Sequence, residues 1–390
     1  MADTRAPMAD TRAPMADTRA PMADTRAPVA DTRACVVSGG SGYPGPMSVL
    51  TQPWPLGWAI AVFVLAGALT VVCSIRLASL GDALADRTGW GEAFFGAVFF
   101  GVASSLSGIT MTGVSAAQGQ PELAYSNAVG GIAVQTLAIV AADAAHRRVN
   151  LEHAAASVRN LLFGCLLIVL LGTGLLASLS PDVTVAGVHP ASFVMVALYA
   201  GGLKLIHDQR EPMWRAVSTR ETKPDEPEDH GALGRRRTRT LWGEFVLIAA
   251  VVVVGGWAIA RAAESLVVQT GLAAGLVGAI FMGVVNALPE TVTAVAAVRR
   301  GALTLAVAAV IGGNSLDALN LVLGDVVFRA GSLFHAATPD QLFLTGSALL
   351  MTAVLLGGLL VRQRRGWWRL GFDGVMLAAI YATAVLILAF

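Results

Sequence analysis

Long apolar runs separated by short polar clusters dominate this chain. Runs able to cross the ~30 Å of bilayer hydrocarbon fall at about 58–80, 92–117, 121–145, 156–179 and 188–206 in the first half. In the second half they fall at about 242–263, 272–298, 302–328, 342–361 and 370–389. The pattern predicts an all-α polytopic membrane protein with ten transmembrane helices, five per half. Slid against itself by 182 positions without a gap, the chain brings Thr88-Gly89 onto Thr270-Gly271, Gly101 onto Gly283 and Leu106 onto Leu288. The same shift carries Gly130-Gly131 onto Gly312-Gly313, Asp143 onto Asp325 and Arg147 onto Arg329. An odd number of spans per half forces the second copy to enter the membrane upside down, so the halves are expected to be inverted five-helix repeats. In such proteins the working site lies where the repeats meet.

The organisation reads as four segments. Residues 1–46 begin with MADTRAP repeated four times and followed by VADTRAC. A proline every seventh residue forbids a continuous helix, and the repeats have no apolar seam. This stretch is expected to be a disordered low-complexity tail outside the functional protein, with Met47 as the expected start. The first membrane repeat is expected at 47–206, a linker loop at 207–241 and the second membrane repeat at 242–390.

Basic residues orient the spans. Arg76 lies in the last turns of span one, and Arg87, Arg147, Arg148, Arg299, Arg300, Arg362, Arg364 and Arg365 all follow odd-numbered spans, as does the 207–241 loop with Arg235-Arg236-Arg237. The opposite loops carry almost none, Arg261 and Arg329 excepted. The positive-inside rule therefore places the linker loop in the cytoplasm and both termini outside it, in a multi-pass cell (inner) membrane protein.

Composition narrows the function. The chain is 55% hydrophobic and 14% charged, with a net charge of +1, so the lipid bilayer is its solvent and nucleic acid is not a partner. No G-x-x-x-x-G-K-[ST] occurs, so ATP is not expected to drive it directly. Cys73 and Cys165 lie in apolar spans and Cys35 in the tail, which excludes a disulfide framework. The six histidines fall near loops or span ends without zinc-site spacing, no nucleophile accompanies the buried acids, and neither an enzyme nor a resident cofactor is expected.

The candidate chemistry sits inside spans. In span seven, Asn286-Ala-Leu-Pro289-Glu290-Thr291-Val-Thr293 combines a helix-bending proline with a carboxylate at membrane depth. An ionised acid there costs at least ~2.5–3.5 kcal/mol on insertion scales, an expense that a cation ligand or proton carrier would explain. A neutral glutamate bonding between helices is the plainer reading. Span eight answers with Gly312-Gly313-Asn314-Ser315-Leu316-Asp317, in which Asn314 and Asp317 share a helical face. Glu290 and Asp317 together make a site of charge about −2, matched to a hard cation that takes six to eight oxygens. The first repeat offers neutral oxygens: Ser104, Ser105, Ser107, Thr110 and Thr112 in span two, and Asn127 and Gln135 on one face of span three. The candidate cation ligands are Glu290, Asp317, Asn314, Asn127, Ser107, Gln135, Thr110 and Thr293. Asp143 with Arg147, and Asp325 with Arg329, are expected as interfacial ion pairs, Glu122 as a helix-start anion, and Glu264 and Asp82 as water-exposed loop acids.

These motifs resemble the α-repeats of the sodium/calcium exchanger (cation/calcium antiporter) superfamily, which pair S-L-P-E-x-x-T-S with G-N-x-x-G-S-N. Ala287-Leu-Pro289-Glu290-Thr291-Val-Thr293 is similar to the first element, Gly312-Gly313-Asn314 to the end of the second, and Asn127 with Gly130-Gly131 to its counterpart in the first repeat. The chain departs from the pattern at Ser107-Gly108, where the first repeat's Pro-Glu would stand, at Ile132, where its closing asparagine would stand, and at Ala308-Ala309. Asp317 stands at a usual asparagine position and would restore a second negative charge, as in a bacterial branch with an asymmetric site. The resemblance implies a sodium/calcium exchanger-like bundle of ten helices with its ion site at mid-membrane. It implies secondary antiport of Ca²⁺, or a similar divalent cation, against Na⁺ or H⁺ by alternating access. The alternative is a degenerate relative acting as a passive cation pore or cation-binding subunit. A pore conducts without an ion on the far side and an exchanger does not.

Overall fold

A computed structural model describes residues 52–88, 101–145, 151, 157–208, 237–300, 303–363 and 371–390. Two units divide the chain: Met1–Ser48 lies outside the described residues, and Val49–Phe390 holds every helix that follows. The first half contributes α1 (Leu56–Thr88), α2 (Leu106–Ala117), α3 (Pro121–Ala145), α4 (Val158–Leu179) and α5 (Pro190–Asp208). The second contributes α6 (Thr238–Thr270), a composite α7 (Ala274–Leu276, π-helical Val277–Met282, Gly283–Arg300), α8 (Leu303–Asp317, resumed at Asn320–Val327), α9 (Pro339–Val361) and α10 (Phe372–Ala389). Nine helices among the described residues are long and apolar enough to cross a membrane. The remaining expected span, 92–117, lies outside the described residues before position 101. Residues 1–51 and 209–236, and with them the expected tail and most of the expected linker, also lie outside them.

The bundle turns a soluble protein inside out. Leu65 and Val72 of α1 and Leu247 and Val254 of α6 are each more than 60% exposed, which suits hydrocarbon and not water. Polar side chains instead gather on the inner helices α3, α7 and α8. The hydrophobic effect cannot drive helix association in lipid, so close packing of small residues must do so. Gly255 and Gly256 of α6 meet Thr70 of α1 and Thr110 of α2, and Gly130 of α3 meets the α7 backbone at Ala279. A Cβ at Gly130 would lie 2.6 Å from the Ala279 carbonyl oxygen, an overlap with backbone that cannot rotate away. Gly130→Ala should therefore part α3 from α7 and cost about 1–3 kcal/mol, the usual range for overpacking. The thermal midpoint of the purified protein should fall, and an unchanged midpoint would mean that the two helices are not in contact.

The halves are inverted with respect to each other. Trp54, just ahead of α1, donates its backbone N–H to Ser265 near the end of α6 (2.9 Å), and its carbonyl accepts from Gln269 (3.3 Å). Toward the other end of α1, Arg76 pairs with Glu244, near the start of α6, at 2.6 Å. The first helices of the two halves thus run antiparallel. Helix contacts come in matched pairs on exchange of the halves. α2 packs on α6 as α7 does on α1, α4 on α8 as α9 on α3, and α5 on α8 as α10 on α3.

Two sequence expectations about charged residues are corrected. Asp325 does not pair with the exposed Arg329: it is fully buried and accepts four hydrogen bonds, from His189 N and Ser192 Oγ (both 2.8 Å), Ser332 Oγ (2.9 Å) and Leu333 N (3.0 Å). It holds the start of α5 and the turn after α8, because carboxylate oxygens satisfy free N–H groups at helix starts and turns. Its repeat equivalent, Asp143, accepts from Leu151 N (2.6 Å), the equivalent of Leu333, so this fastening is duplicated; Arg147 lies outside the described residues. Glu264, expected to face water, is paired with the buried Arg261, which also donates to Gln52 O (3.1 Å). That pairing accounts for a basic residue at the poorly basic end of the bundle.

Candidate cation site

Four helices deliver the polar side chains to one buried layer. α7 is widened by a π-turn just before Gly283, where a Cβ would lie 3.0 Å from the Gly130 backbone, and it carries Pro289 in its interior. Such bulges recur at functional sites because they re-aim side chains on the turns that follow. α8 breaks directly after Asp317: Leu319 N turns back to Leu316 O (2.9 Å), and the helix resumes at Asn320. Asn320 Nδ2 then reaches Asp317 Oδ1 (3.4 Å).

The repeat offset reappears as contacts. Gln135 Nε2 donates to Asp317 Oδ2 (2.7 Å), and Asn314 Nδ2 approaches Ile132 O (3.5 Å). Each pair is separated by 182 residues, the repeat shift itself. Equivalent residues of two inverted copies can touch only near their pseudo-two-fold axis, so α3 and α8 cross there.

Three amides of this layer, Asn127, Gln135 and Asn314, point the same way electrically. Asn127 gives its NH₂ to Thr112 Oγ1 (2.9 Å) and Gly108 O (3.3 Å), while Asn314 gives its NH₂ to Thr136 Oγ1 (3.0 Å) and Ile132 O. Gln135 gives its NH₂ to Asp317. The carbonyl oxygens Asn127 Oδ1, Gln135 Oε1 and Asn314 Oδ1 are buried and receive no donor. Neither oxygen of Glu290 receives one, although that residue is only 7% exposed. Glu290 and Asp317 are within electrostatic reach of each other. Buried polar atoms are rarely left without a partner; against one unpartnered donor, Asn286 Nδ2, stand five unpartnered acceptor oxygens, and that excess calls for a positive charge.

The remaining expected ligands are placed differently. Ser107 is fully buried and its hydroxyl is 3.5 Å from Asn286 Oδ1, inside the layer. Thr110 is turned away: its hydroxyl bonds Leu106 O (2.8 Å) and its Cβ faces Gly256 of α6, as the helical period one turn from Leu106 demands. Thr293 bonds the carbonyl of Glu290 on its own helix (3.0 Å), the common resting place of a membrane threonine. Asn286, Thr112 and Thr136 belong to the layer but were not among the expected ligands. Asn286 stood four residues before Glu290, a shared helical face that marks it in the sequence. It fills the slot beside Gly108: a Cβ at 108 would lie 2.8 Å from its Cγ. The position where the resembling family places a first-repeat glutamate is thus occupied from the opposite repeat. Among the described residues no group of three or more His, Cys, Asp and Glu could hold a metal, so any cation here must draw on amides as well as the two acids.

Comparison with known proteins bears on the family and the fold. The sodium/calcium exchanger protein family matches residues 58–206 and 240–390. No curated protein sequence matches the chain. Among solved structures, an H⁺/Ca²⁺ exchanger, CAX, superposes with a TM-score of 0.65 at 14% identity, covering 88% of this chain and 87% of that one. The Ca²⁺/H⁺ antiporter protein YfkE gives a TM-score of 0.58 at 14% identity over 88% and 94% of the two chains. The sodium-calcium exchanger NCX_Mj gives 0.51 at 16% identity over 84% and 97%. At these identities the likeness establishes a shared fold.

Proposed function

Because this chain belongs to the sodium/calcium exchanger protein family, we propose that it is a secondary antiporter moving Ca²⁺, or a similar divalent cation, against Na⁺ or H⁺. The observation that carries this reading is the set of buried acceptor oxygens without donors on Glu290, Asn127, Gln135 and Asn314. These are oxygens of the kind that Ca²⁺ takes six to eight of, and water or Asp317 can complete the shell. Glu290 and Asp317 supply the charge, the three amides supply neutral oxygens, and Ser107 borders them. Thr110 and Thr293 hold no ligand role in this reading.

Alternating access follows from the inverted halves. Two arrangements related by the pseudo-two-fold axis would open the same site to opposite faces of the membrane. The arginine distribution supports a cell-membrane location with both termini extracytoplasmic. Nothing in the site favours the passive-pore alternative, since its acids are enclosed and do not line an open channel.

Isotopic Ca²⁺ uptake into vesicles containing the purified protein, with Na⁺ and pH gradients imposed separately, tests the reading. Uptake should require one of the two ions on the far side. Equal uptake without any trans ion would identify a pore, and no uptake under either gradient would overturn cation transport.

A further inference from the structure

We propose that Thr112 and Thr136 are positioning residues for the transported cation, each holding one asparagine so that its oxygen, and not its nitrogen, faces the site. The inference rests on the antiporter reading and deepens it. An asparagine side chain has two ends of nearly equal shape and opposite polarity. In a cation site the wrong end presents N–H donors to a positive charge, so something must select the right one.

The structure sets a threonine hydroxyl and a backbone carbonyl beside the NH₂ of each asparagine. Thr136 Oγ1 donates its proton to Ile132 O (2.8 Å), which leaves the hydroxyl only lone pairs to offer Asn314 Nδ2 at 3.0 Å. Beside it, Ile132 O can only accept. A flipped Asn314 would set its oxygen against two acceptors. Asn127 has the corresponding neighbours, Thr112 Oγ1 at 2.9 Å and Gly108 O at 3.3 Å, of which the carbonyl can only accept. In both cases the oxygen thus turned away is buried and lacks a donor, as a cation ligand awaiting its ion would be. Losing an outer-shell group that orients a metal ligand in this way costs about 10- to 100-fold in affinity.

Valine and serine separate orientation from packing. Valine keeps the threonine's shape and loses the hydroxyl, whereas serine loses the methyl and keeps the hydroxyl. In vesicle uptake assays on the full chain, Thr136→Val should raise the KM for Ca²⁺ by about tenfold or more. Thr136→Ser should stay close to wild type, and all three proteins should fold, the Val variant with a midpoint lowered by no more than the loss of one buried hydrogen bond implies. Thr112→Val and Thr112→Ser should repeat the contrast through Asn127. A Val variant with unaltered KM, or a Ser variant as impaired as its Val counterpart, would overturn the inference while leaving antiport standing. Wild-type protein without Ca²⁺ uptake would overturn both.

Discussion

Glu290→Gln should reduce Ca²⁺ uptake to background while leaving a folded protein whose thermal midpoint, without Ca²⁺, is at or above that of the wild type. Glutamine keeps the shape of glutamate, so α7 has no packing reason to move. It removes one of the site's two carboxylates and replaces an orphaned acceptor with an NH₂ that repels a cation. Losing a direct ligand should cost affinity at least as much as losing an outer-shell partner, about 10- to 100-fold. The stability side has the opposite sign. A carboxylate buried without a donor is an expense to the fold, and a neutral amide relieves it. Uptake and midpoint measured on the same preparation decide the matter. Wild-type uptake by Glu290→Gln would remove Glu290 from the site, and a collapsed midpoint would make it a structural acid.

Asp325→Ala should show the reverse pattern, with folding lost and transport lost as a consequence. This carboxylate satisfies four donors that no water can reach in a fully buried position. The two serine hydroxyls can rotate to other acceptors, but the backbone N–H groups of His189 and Leu333 cannot. Each orphaned buried donor costs about 1–3 kcal/mol, so the pair alone costs roughly 2–6 kcal/mol. Against a total stability of about 5–15 kcal/mol, that is a large fraction. A much lower midpoint and aggregation on size-exclusion chromatography are expected. An Asp325→Ala protein as stable as wild type would show that the start of α5 and the turn after α8 are held by other contacts. Glu290 and Asp325 are both acids inside an apolar bundle, and what separates them is the hydrogen-bond count: none for one, four for the other.

That difference was not legible in the sequence. Asp325 stands four residues before Arg329, a spacing that suggests an ion pair on one helical face. The pairing fails because α8 ends near there, and its last turn delivers the carboxylate inward to partners 133 and 136 residues away. Thr110 faces away from the layer for a related reason. Spacing along α2 says which residues share a face, but α6 decides which face is turned from the site. Asn286 was passed over although it shares a face with Glu290, because only the opposing Gly108 and Gly131 reveal the slot it fills.

The sequence by itself determined the class of the protein, the positions of most spans, the 182-residue repeat and the presence of two acids, Glu290 and Asp317, inside the bundle. These are matters of period, length and the cost of charge in hydrocarbon, all of which are local and add up along the chain. Only the tertiary structure decided that Gln135 and Asp317 touch, that three amides turn their oxygens away from every donor, and that Thr112 and Thr136 hold two of them so. Orientation of an amide is set by what stands across from it, and across from each of these stands a group supplied by a different helix.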